Sequence, residues 1–143
     1  MIKTKILKLS IAIALTMSLG VVSLNAQTPK SSKPFLIQNK LPHLSGAVKT
    51  LWDDTDLALS EEQKEKLTVV RKNTIKQVKA LSKEINKLET YIVKAAFDGK
   101  ELKNLKEDIY KLAKLRADAS IIHLKCIYST REILSKEQLE IIE

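Results

Sequence analysis

The sequence predicts an all-α protein, a long antiparallel helical hairpin with short helices flanking it. Three observations predict this. Apolar residues recur at spacings of three and four over positions 60–97 and again over 100–132. No glycine or proline interrupts either stretch, and Asp98-Gly99 supplies the break between them. The pattern Leu-Ser-x-x-Gln occurs twice, as Leu59-Ser60-Glu61-Glu62-Gln63 and as Leu134-Ser135-Lys136-Glu137-Gln138. Each copy is a helix-start device: a Ser at the N-cap accepts from an orphan backbone N–H, and a Gln three residues on reaches back to the cap's own N–H.

Residues 1–26 read as a signal peptide. Lys3, Lys5 and Lys8 form a basic region, Leu9 to Leu24 is mostly apolar, and Ala26 stands at a plausible cleavage position. That apolar run is short of the roughly 20 residues of a membrane span, so cleavage is favoured over a retained anchor and no span is expected afterwards. Residues 27–42 hold all three prolines and read as a flexible arm. Residues 43–143 form the helical domain. Within it His43 to Trp52 suits a short helix with Ala47, Val48, Leu51 and Trp52 as its apolar patch.

The first long helix spans Ser60 to about Phe97, with an apolar seam of Leu67, Val70, Thr74, Val78, Leu81, Ile85, Leu88, Ile92 and Ala95. Its 38 residues would make a rod of roughly 57 Å at about 1.5 Å per residue. The second runs from about Lys100 to Glu132, with Leu102, Leu105, Ile109, Leu112, Leu115, Ala119, Ile122, Cys126 and Ile133 as its apolar face. A last helix starts at Ser135, where Leu134 faces Leu139 as a hydrophobic staple. Two helices side by side bury one stripe each, which is little for a small chain. Ile75, Val93, Ile121 and Ile127 lie off the seam and widen the apolar arc, so a homodimer is expected.

Composition narrows the function classes. Cleavage after Ala26 leaves 117 residues, with 22 basic against 17 acidic. That modest excess suits acidic or unfolded partners and does not call for nucleic acid. Cys126 is the only cysteine, so an intramolecular disulfide is impossible and only pairing across a dimer is open. Six basic residues and no acidic one lie between Lys66 and Lys83. Four of them, Lys72, Lys76, Lys79 and Lys83, share an arc of roughly 60° at about 100° per residue. Such a stripe can draw in acidic segments through long-range, salt-sensitive forces, or be a solvated face. Interleaved aromatics would suggest a single-stranded nucleic-acid surface, and this stripe has none.

Catalytic chemistry is not indicated: there is no Gly-rich phosphate loop, no Gly-x-Ser-x-Gly elbow, and no cleft around the Cys126/His123 pair. The chain reads as a non-enzyme without a cofactor. His123 and Cys126, at i and i+3, are the only pair suited to a soft metal, with His43 as the one other imidazole. A closed site needs more ligands, and structural roles are favoured for both.

The paired motifs, the hairpin and the export signal together resemble the Spy/CpxP family of periplasmic stress proteins, whose mark is a repeated Leu-Thr-x-x-Gln. Here Ser replaces Thr in both copies and keeps the capping hydroxyl. The resemblance covers roughly 57–142, and Arg116, His123 and the run 133–138 fall where members carry similar residues. It implies a bent helical cradle, dimeric through its long helices, acting as an ATP-independent chaperone of the envelope stress response in the periplasm. Its partners would be unfolded or misfolded periplasmic proteins. Under that resemblance Lys72, Lys76, Lys79, Lys83 and Arg116 attract clients, while Ile75 and Val93 supply weak apolar contact. Alternatives within the family are an adaptor inhibiting a sensor kinase through its periplasmic domain, and a heavy-metal sensor or binder. The metal branch is disfavoured because its His- and Met-rich ligand sets are largely absent.

Overall fold

The computed structural model describes residues 33–142; the expected signal peptide and the first part of the arm lie outside the described residues. Four α-helices and no strand occur among them: α1 (Leu44–Thr50), α2 (Glu61–Phe97), α3 (Lys106–Ile133) and α4 (Lys136–Ile142). The fold is all-helical, and α2 and α3 make the most extensive contact in it.

The start of α2 is set by Ser60, as the capping motif requires. Ser60 is extended, its Oγ accepts from the Gln63 N–H at 3.2 Å, and Gln63 Oε1 accepts from the Ser60 N–H at 3.0 Å. Glu61 and Glu62 in the first turn suit the positive end of the helix dipole. The far end closes in a Schellman motif. Lys100 N–H reaches the Ala95 carbonyl at 2.9 Å and Gly99 N–H the Ala96 carbonyl at 3.1 Å. This places Gly99 at φ 80°, a left-handed conformation that costs a residue with a Cβ roughly 1–2 kcal/mol.

The second long helix starts later than its periodicity predicts. After the turn Glu101 is extended, and Leu102–Asn104 make a short 3-10 turn before α3 begins at Lys106. Leu102 is therefore 74% exposed, and Leu105 is the first residue of the predicted face to be buried. Ile109 also remains exposed, whereas Ile127, expected off the seam, is buried.

Along the α2–α3 contact Ile85 and Ala119 are fully buried. Most of the remaining seam (Val70, Thr74, Val78, Leu81, Leu88, Ile92, Leu112, Leu115, Ile122) is only half-buried. A single layer of two helices has no third wall to close over those side chains. Polar contacts tie the pair together: Gln63 Nε2 donates to the Ile133 carbonyl at 2.9 Å, and Arg116 ion-pairs with Glu89.

The core sits at one end. Val48 of α1, Leu67 of α2 and Leu134 before α4 form a buried cluster, with Trp52, Leu59, Ile133, Leu139 and Ile142 packed against it. Leu134 and Leu139 share this cluster, as the staple predicts. Among the described residues no helix is long and apolar enough to cross a membrane.

Candidate functional site

Three features carry the residues singled out in the sequence: the paired motifs, the lysine stripe, and the surroundings of His123. The motifs prove to be neighbours. Ser135 caps α4 as Ser60 caps α2: its Oγ accepts from Gln138 N–H at 3.2 Å, and Gln138 Oε1 accepts from Ser135 N–H at 3.0 Å. The two glutamines then face each other. Gln63 Nε2 donates to Gln138 Oε1 at 2.8 Å, and Gln138 Nε2 lies 3.2 Å from Gln63 Oε1. Gln138 Nε2 also donates to the Leu57 carbonyl at 2.8 Å. Each amide therefore closes its own capping box and bridges to the opposite motif. Ser60, Gln63, Ser135 and Gln138 form one latch, with Leu59 and Leu134 in the cluster beside it. Sequence reasoning saw two separate caps; the identity of the two motifs was the available sign that they meet.

The stripe is a surface feature. Lys72, Lys76, Lys79 and Lys83 are all exposed, and among the described residues no ion pair joins any of them. Ile75 and Val93 are exposed as well, at 39% and 54%. They stand 18 positions apart, five whole turns at about 3.6 residues per turn, and so line the same side of α2 beside the lysines.

Arg116 is differently placed. Its guanidinium ion-pairs with Glu89, its side chain is 14% exposed, and it donates to the Lys33 carbonyl at 3.0 Å. It positions the chain rather than standing open beside the stripe. Residues 33–37 lie on α3 at this point. Leu36 N–H donates to Ser120 Oγ at 2.7 Å, and Ser120 in turn donates to the Arg116 carbonyl at 3.0 Å. Ser120 is not singled out by the sequence; Phe35, the one aromatic of the arm, packs beside it on His123.

His123 is buried between two rings. Phe35 lies at 5.0 Å between centroids, and His43 stacks on it at 4.8 Å. Burial holds the His123 imidazole below its ordinary pKa, the charge of His43 and Lys33 acts the same way, and the Pro42 carbonyl opposes them. His123 Nδ1 and Thr130 Oγ1 are buried without a hydrogen-bond partner. Cys126 is a free, buried thiol one turn further on. Among the described residues no three His, Cys, Asp or Glu side chains are grouped to hold a metal. Stacked imidazoles present their faces to each other, which is poor geometry for converging two nitrogens on one ion.

No family model, curated protein or solved structure matches this chain.

Proposed function

We propose that the protein is an ATP-independent, client-binding chaperone of the periplasm, built as a Spy/CpxP-like antiparallel hairpin that forms a bent, homodimeric cradle. The observation that carries this reading is the juxtaposition on α2 of four exposed, unpaired lysines and the exposed side chains of Ile75 and Val93. Bonds from Gln63 to Ile133 and from Glu89 to Arg116, matching early with late positions, support the antiparallel arrangement. The half-buried seam supports a second copy as its cover.

The division of labour follows from range. Lysine charge acts over about 8–10 Å in physiological salt and sets how often an acidic segment of an unfolded chain arrives. Apolar contact acts only on touching. Full burial of an isoleucine is worth about 1.5–3 kcal/mol, and side chains already partly covered offer less. Clients are therefore gathered quickly and held weakly, which leaves them free to fold.

An aggregation assay tests the reading. Equimolar protein is expected to suppress light scattering from several unrelated clients diluted out of denaturant, without nucleotide. Unchanged scattering for all of them would refute it.

A further inference from the structure

One end of the basic stripe runs into a groove of about 370 Å³ between α1 and α2, lined by Lys49, Trp52, Thr68, Arg71, Lys72 and Ile75. Its size lies within the range of ligand sites, roughly 300–1,000 Å³. Trp52 and Ile75 form the apolar part, and Lys49 Nζ stands 6.0 Å from the Trp52 ring centroid. Three cations line it and no carboxylate does. The nearest acids along the chain are engaged elsewhere. Asp53 pairs with Lys64 at 3.5 Å, and Asp54 Oδ1 accepts from the Asp56 and Leu57 N–H groups at 3.0 Å.

We infer that this groove is a docking site for a partner-protein segment that sets a large aliphatic side chain beside carboxylates. The aliphatic group fills the space between Trp52 and Ile75, and the carboxylates meet Lys49 and Lys72 at the rim. Arg71 donates to the Ser45 carbonyl at 3.3 Å, which links the two walls of the groove, and it adds a third positive charge. The chain's own first 32 residues lack the carboxylates such an occupant needs: they contain four lysines and no acid. The inference rests on the client-binding reading for its natural partner, and it gives that reading a defined contact point.

Trp52 is the only tryptophan and lines the groove, so its emission follows occupancy there, with the core it also packs against checked separately. The full chain is titrated with an acetylated, amidated octapeptide of alternating leucine and aspartate, then with the leucine–asparagine counterpart. The expected result is a saturable blue shift with the acidic peptide, weakened about fivefold in K49Q/K72Q and in 0.5 M salt. The asparagine peptide is expected to bind at least about fivefold more weakly. Circular dichroism checks that the variant stays folded. Equal response to both peptides, no response, or an unaltered K49Q/K72Q variant would overturn the inference. So would emission that shifts with protein concentration alone, which would assign the groove to a second copy. Peptide binding without suppression of client aggregation would sustain the groove and remove the chaperone reading. Suppression with Trp52 silent would do the reverse.

Discussion

The latch between the two motifs predicts an energetic coupling that two independent helix caps would not have. Gln138→Ala removes the bond to Ser135 N–H, the bond to the Leu57 carbonyl and the paired contact with Gln63. At about 1 kcal/mol net per bond the loss is about 3 kcal/mol, reduced to about 2 where water reaches these half-buried groups. Gln63→Ala loses its own box, the shared pair and the bond to the Ile133 carbonyl, for a similar cost. The pair is counted in both variants, so Q63A/Q138A should be less destabilised than the sum of the two by about 1–2 kcal/mol. Urea denaturation followed at 222 nm, at one fixed protein concentration, measures all three differences. A coupling below about 0.3 kcal/mol would refute the latch and return the glutamines to separate caps.

Three further outcomes follow. His123 carries a depressed pKa when folded, so between its ordinary value near 6.5 and that lower value the unfolded chain binds more protons. Stability should be full above about pH 7 and fall as pH drops through this window, with a flatter denaturation profile in His123→Gln. Arg116→Gln removes the Glu89 pair and the bond to Lys33; it should cost about 2 kcal/mol and speed hydrogen exchange at the Leu36 amide, with slow exchange unchanged as the contrary result. Ile85→Ala empties the best-buried point of the α2–α3 contact and should cost about 3 kcal/mol by thermal or urea unfolding.

The long helices were legible because their signals are local. Periodicity with no Gly or Pro defined α2 to within a residue at each end, and Gly99 marked its end by the one conformation a turn of that kind needs. The start of α3 was not legible. Leu102 keeps the apolar spacing, yet the chain leaving the Schellman turn is extended at Glu101 and enters the helix only at Lys106. The site was readable where it is a surface property of one helix, as with Lys72 to Lys83, and unreadable where it depends on contacts across the fold. The Gln63–Gln138 pair spans 75 positions and the Leu36–Ser120 bond 84. Arg116 is expected from the resemblance to attract clients, and nothing in its sequence neighbourhood shows that Glu89 and the Lys33 carbonyl surround it.

The central claim is that the α2 stripe captures unfolded chains by charge. Stopped-flow association with an acidic, permanently unfolded client tests it most directly, comparing the wild type with K72Q/K76Q/K79Q/K83Q over 20–300 mM salt. The account predicts an association rate about tenfold lower in the variant at low salt, converging with the wild type as salt rises. Equal rates with equal salt dependence would contradict it.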